Sequence, residues 1–247
     1  MITGLLGKRP PRRDPRTFRL SNYVEALPPA PPLVDWTIRV PEYGMLLNDK
    51  LGCCVIAGMM HLAMQQHAAA GLPIPIPSEA EVIAMYSAIG GYVPGDPSTD
   101  NGCVMLDALN YWRQHGLTFG GVTHRITAFA AVKPRDVPSA LWLFGGTLDG
   151  YALPEAVQDA EAWMGPSSER GAWSPGSWGG HCVESAIATG GATEVVTWGQ
   201  LCPVGADFRA AYCDESYVVF TPEWIEANGN GPCGFRADEL LADLGRL

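Results

Sequence analysis

The chain has 247 residues, 47% of them hydrophobic and 17% charged, and a formal net charge of −10. This length and balance support a substantial core and exclude a disordered chain, and no apolar run approaches the ~20 residues that span a membrane. Seven cysteines with no C-x-x-C pair exclude a fully paired disulfide framework and give no sign of a metal or organic cofactor.

In chain order, the first eight residues place a few apolar positions ahead of the charges, the reverse of a secretory signal. The expectation is a cytoplasmic protein, or a virion protein if phage-encoded. Three lysines against thirteen arginines, with abundant Ala, Gly and Pro, fit a GC-rich genome such as that of an actinobacterium or its phage. Within residues 1–20, Lys8, Arg9, Arg12, Arg13, Arg16 and Arg19 face Asp14 alone, a net of +5 on a body of −15. This Pro-rich arm, continuing to a proline linker at 27–33, is expected to lack a core of its own and to dock on an acidic surface. That surface belongs to a neighbouring copy, another protein or a nucleic acid, and the acidic body argues against nucleic acid.

Residues 53–69 predict a helix with a stripe at Val55, Met59, Leu62 and Gln66. Ser78 with Glu81 forms a capping box for a second helix over about 79–88, and Met105 to His115 a third, stopped by Gly116. Beyond these, residues 122–129 alternate as a strand, 139–144 read as a helix and 147–157 as an extended segment. A loop rich in Trp, Gly, Ser and Pro (162–179) leads to strands at 182–188, 194–198 and 216–220 of one antiparallel sheet. A tail from Pro222 holds two turn clusters and a short helix over about 237–244. Helices first and strands second predict an α+β fold.

Two short segments carry the chemistry. Asn48–Cys54 (NDKLGCC) ends in a thiol at a helix N-terminus, where the dipole favours thiolate. Gly179–Val183 (GGHCV) sets His181 at the head of a strand. A histidine folding back beside Cys54 can hold the thiolate as an ion pair and later protonate a leaving group. Cys53 is the alternative nucleophile. His61, on the same helical face as Cys54, reads as a core histidine, and Asp100, Asp107 and Glu184 read as surface carboxylates. The other cysteines (103, 182, 202, 213 and 233) read as buried small hydrophobes or free thiols.

With these residues in place, the chain resembles the papain-like cysteine peptidases over roughly residues 32–220. Pro32–Trp36 (PLVDW) is similar to the family's mature N-terminus, and Asn48–Cys54 to its Q-G-x-C-G-S-C segment. Residues 100–116 resemble its N-G-G block, Gly180–Val183 its N-H-A-V, Val196–Gly199 its N-S-W-G, and Tyr217–Phe220 its closing strand. The resemblance implies a helical lobe over about 48–120 and a β lobe over about 121–220, with a cleft between them. The arm (1–33) and a C-terminal extension (221–247) lie outside. It further implies Cys54 as nucleophile, His181 as proton shuttle, Asn48 as oxyanion donor, and a peptide or protein substrate with no cofactor.

The departures are specific. Asn48 stands for glutamine, Leu51 for a disulfide cysteine and Val55 for tryptophan. The asparagine that orients the histidine is missing: alignment on Trp198 puts Val196 there, and counting from His181 puts Thr197, whose hydroxyl can accept a hydrogen bond. The expected function is a thiol hydrolase acting on a peptide or isopeptide-like bond. The alternative is a catalytically silent structural or assembly protein of the same fold, such as a virion component. The altered triad, the docking arm and the absence of a long pro-segment favour that alternative.

Overall fold

A computed structural model describes residues 4–24, 26–165, 170–228 and 235–246. The elements in chain order are β1 (Leu33–Asp35), α1 (Cys54–Ala69), α2 (Glu79–Gly90), α3 (Met105–His115), β2 (Leu117–Phe119), β3 (Val122–His124), β4 (Ala128–Ala131) and α4 (Val137–Phe144). They continue as β5 (Thr147–Leu153), β6 (Gly179–Thr189), β7 (Ala192–Thr197), β8 (Gln200–Val204), α5 (Ala206–Tyr212), β9 (Cys213–Phe220), α6 (Pro222–Asn228) and α7 (Ala237–Leu244). The α+β fold expected from helices preceding strands is the one observed.

One antiparallel sheet runs β4-β9-β5-β6-β7-β8, with β1 added alongside the far end of β6. β2 and β3 form a separate hairpin whose turn, Gly120–Gly121, has positive φ at both positions, as a type I′ turn requires. The run expected as one strand over 122–129 therefore splits into β3 and β4 of different sheets. A second two-residue turn, Trp198–Gly199, joins β7 to β8 with φ of 48° and 71°. β8, α5 and α6 were not anticipated from the sequence.

α1 is the centre of the molecule. Only Gln66, His67 and Ala69 escape full burial, so the expected single stripe is corrected to burial on nearly all faces. The reason is its neighbours: β5, β6 and β7 pack on one side and α2 and α3 on the other. Gly58 is part of this fit, since a Cβ there would meet Leu148 Cδ1 at 3.1 Å. α2 carries the expected capping box, with the Ser78 N–H donating to Glu81 at 2.8 Å and Glu81 N–H to Ser78 Oγ at 3.3 Å. α3 stops at Gly116, which adopts φ of 87°.

Residues from both ends share a second cluster against α4 and β9. Leu20, Tyr23 and Val24 pack there with Phe144, Phe220, Phe235 and Leu240, and Tyr23 donates its hydroxyl to Asp243 at 3.0 Å. The arm was expected to lack a core of its own and to dock on an acidic surface, and its second half is packed into a core of the chain itself. Apolar residues at 20, 23 and 24 have nowhere to be buried until the C-terminal segment arrives. Cys103, Cys182, Cys202 and Cys213 are buried free thiols, as expected, and Cys53 and Cys54 are buried free thiols as well. Cys233 and the turn residues around it lie outside the described residues.

Candidate active site

The residues singled out from sequence converge where the N-terminus of α1 meets the head of β6. Cys54 is the first residue of α1, fully buried, and its sulfur accepts a hydrogen bond from the Cys182 backbone N–H at 3.4 Å. Cys53 is the N-cap and points its thiol at the Leu46 carbonyl, 3.4 Å away. The loop before them is pinned by Asp100, whose carboxylate accepts from Gly52 N–H at 3.0 and 3.1 Å and from the Tyr86 hydroxyl at 2.5 Å.

His181 lies on β6, one residue from the amide that touches the sulfur. Its Nε2 is 2.7 Å from Thr197 Oγ1, which leaves Nδ1 buried and without a hydrogen-bond partner among the described residues. Of the two positions left open by the sequence, Thr197 is the one that meets the imidazole. The Trp198 indole stacks on the ring at 4.5 Å between centroids, with the planes 17° apart. Trp198 reaches that position from the turn after β7, in a left-handed conformation that is uncommon for a bulky residue.

The first residues of the chain fill this seam as an extended strand. Leu5 N–H donates to the Asn48 carbonyl at 2.8 Å, and the Leu5 carbonyl accepts from Asn48 Nδ2 at 3.0 Å. Gly7 N–H lies near enough to Cys54 to pull its thiol pKa down, and the Gly7 carbonyl accepts from Cys103 N–H at 2.8 Å. Lys8 N–H donates to the Gly180 carbonyl at 3.0 Å and Arg9 N–H to the Cys103 carbonyl at 2.8 Å. The strand thus bonds to the helical side and the sheet side at once. The approach is close enough that a Cβ on Gly7 would overlap the Gly52 carbonyl, and one on Gly180 the Lys8 carbonyl.

Enclosure sets the electrostatics. Burial pushes the Cys54 thiol up to about 11, against the lowering pull of the Cys182 and Gly7 N–H groups and of Lys8. Burial also holds the His181 imidazole down to about 3. The thiolate expected from the helix dipole is therefore corrected for this closed arrangement: desolvation outweighs the dipole, and both groups are neutral at pH 7. Asn48 has both amide hydrogens engaged, with the Leu5 carbonyl and with the Leu51 carbonyl at 3.1 Å.

Other expectations divide. His61 is a core histidine, its Nε2 3.1 Å from the carbonyls of Tyr43 and Gly44, and burial holds it down to about 4. Asp107 is a half-exposed carboxylate paired with Arg12. Asp100 and Glu184 are corrections. Asp100 braces the loop ahead of Cys54. Glu184 is wholly buried on β6 with neither oxygen partnered among the described residues, and burial pushes its carboxyl well above the usual range. The site residues missed in the sequence are Gly7 and Lys8 of the arm and the Asp214–Glu215 pair that Lys8 reaches. Their only signal was charge, a basic arm on an acidic body.

The comparisons with known proteins agree with this architecture. No family model and no curated sequence matches the chain. Among solved structures, the chain is similar to xylellain, a cysteine protease from Xylella fastidiosa, with TM-score 0.68 and 15% identity over 89% of this chain and 97% of that one. It is also similar to a procathepsin B from Trypanosoma congolense (TM-score 0.56, 13% identity, 88% and 86% covered). A digestive procathepsin L of Tenebrio molitor larval midgut matches at TM-score 0.57 and 13% identity, with 89% and 76% covered. At these identities the likeness is one of fold, and the fold is papain-like.

Proposed function

We propose that this chain is a papain-fold thiol hydrolase acting on a peptide or isopeptide-like bond, held closed by its own N-terminal arm. The observation that carries the reading is the His181–Thr197 hydrogen bond. With Nε2 engaged by Thr197, Nδ1 is left as the nitrogen that can take a proton from Cys54.

Displacement of the arm admits water to the seam and removes the common cause of both pKa shifts. The Cys54 proton then passes to His181, and the thiolate attacks the substrate carbonyl carbon to form a tetrahedral oxyanion. Asn48 Nδ2, freed from the Leu5 carbonyl, and the backbone N–H of Cys54 hold that oxyanion. Collapse gives a thioester on Cys54 and an amine that leaves with the proton from His181; water then hydrolyses the thioester.

The alternative is a silent papain-fold structural or assembly protein. The filled seam and the neutral thiol and imidazole favour it. Gly7→Val separates the two, since a side chain there collides with the Gly52 carbonyl and should expel the arm. Hydrolysis of fluorogenic peptide pools should rise at least about tenfold in Gly7→Val over the native chain and vanish when Cys54→Ala is added. A chain that hydrolyses nothing with its arm released is the structural protein.

A further inference from the structure

Cys182 follows His181 directly on β6, where the N-H-A-V segment it resembles has alanine. Its backbone N–H meets the Cys54 sulfur at 3.4 Å, and its side chain turns toward α1. A Cβ placed on Gly58 would stand 3.4 Å from Cys182 Sγ. Gly58 is four residues beyond Cys54, so both lie on one face of the helix, and helix Cβ atoms tilt toward its N-terminus. The Cys182 sulfur therefore lies over the first turn of α1, on the face that carries the Cys54 thiol. A charge on Cys54 is near enough to push the Cys182 thiol further up. The other thiols of the region face elsewhere. Cys53 points at the Leu46 carbonyl, and Cys213 at the Glu215 carbonyl 3.5 Å away. The Cys103 sulfur lies against α2, 2.9 Å from where a Cβ on Gly90 would stand.

We infer that Cys54 and Cys182 are a redox pair, in which Cys182 converts a peroxide-oxidised Cys54 into a disulfide. A hydroperoxide transfers its terminal oxygen to the Cys54 thiol; the O–O bond breaks, the sulfur becomes a sulfenic acid, and an alcohol or water leaves. The Cys182 sulfur then attacks the Cys54 sulfur. The S–S bond forms, the S–O bond breaks, and the oxygen leaves as water with the Cys182 proton. Exchange with a thiol reductant restores both cysteines and oxidises the reductant to its own disulfide. A thiol held beside the sulfenic acid reacts ahead of a second peroxide, because its encounter is intramolecular. The pair thus halts oxidation at a reversible stage, short of the sulfinic and sulfonic acids. Its effect on activity rests on the thiol-hydrolase reading, whereas the cross-link itself does not.

The cross-link can be read without turnover. Hydrogen peroxide is added to the reduced native chain and to reduced Gly7→Val, and the peptides are mapped by mass spectrometry without reduction. We expect a peptide pair joining Cys54 to Cys182, lighter by the two thiol hydrogens and separated by dithiothreitol. With Cys182→Ala in either background, Cys54 should pass on to sulfinic and sulfonic acid. The share of Cys54 thiol that dithiothreitol recovers should then fall at least about tenfold, and Cys103→Ala should leave it unchanged. The inference is overturned if neither protein forms the pair, whether Cys54 stays reduced, is overoxidised beside a free Cys182, or is joined to Cys53 or Cys103. Peroxide should also silence any peptide hydrolysis by Gly7→Val, and dithiothreitol should restore it. A cross-link in a protein that hydrolyses nothing keeps the redox pair and overturns the hydrolase reading. Hydrolysis without a cross-link overturns the pair and spares the hydrolase reading.

Discussion

Thr197 replaces the carboxamide that orients the histidine in the family the chain resembles, and its hydroxyl sits 2.7 Å from His181 Nε2. A hydroxyl accepts a hydrogen bond as an amide oxygen does, so the substitution keeps the ring's orientation while shortening the lever that holds it. Thr197→Val keeps the shape and removes the oxygen. In the arm-released background it should lower kcat/KM at least about tenfold, near 1.4 kcal/mol of transition-state stabilisation, and Thr197→Ser should restore most of it. Steady-state kinetics on a cleaved peptide decide the matter; an unchanged rate in Thr197→Val would mean that Trp198 stacking alone positions the ring. The placement of Cys54 at the start of α1 and of His181 near the start of β6 was legible in the sequence because each sits in a local motif. Which of Val196 and Thr197 served the histidine was not, since register at the end of a strand depends on the turn that follows. The Trp198–Gly199 turn fixes it in space, with two positive φ angles that composition alone does not announce.

At the scale of elements, the N-terminal segment has two jobs. Residues 4–9 lie in the seam, whereas Leu20, Tyr23 and Val24 belong to the cluster with α4, β9 and α7. Leu20 is 1% exposed, so Leu20→Ala should cost about 2–5 kcal/mol in urea unfolding, as deletion of a buried leucine does. A cost below about 1 kcal/mol would show that this segment is laid on the surface and not built into the fold. The helices α1 to α3 were readable because caps and apolar spacing are local signals: Ser78 with Glu81, and Gly116 after His115. β8 and α5 were not, because their burial depends on partners such as Tyr151 and Trp163 that are distant in sequence. The arm's docking on Asp214 and Glu215 was unreadable for the same reason. Charge asymmetry announced an acidic surface without saying that the surface was the chain's own.

At the scale of the whole molecule, one enclosure buries both Cys54 and His181. Under the arm, burial raises the thiol to about 11 and lowers the imidazole to about 3, so no ion pair exists at neutral pH. The sign is definite for each group: burial disfavours the charged form, so the acid loses its proton at higher pH and the base gains one at lower pH. On the proposed reading, opening the seam should reverse both shifts together and make the thiolate stable at a pH where an ordinary thiol, near ~8.5, is protonated.

The most direct measurement is the rate of iodoacetamide labelling of Cys54, read by peptide mass spectrometry from about pH 5 to 9. It is made on the native chain, on Gly7→Val, and on Gly7→Val with His181→Ala. The native chain should label slowly throughout and faster only as pH climbs. Gly7→Val should label fast even near pH 5–6, and loss of His181 should return it to the steep pH dependence of a free thiol, about tenfold per unit below ~8.5. A released-arm protein whose Cys54 already behaves as a free thiol, indifferent to His181, would show that no thiolate–imidazolium pair forms in the open seam.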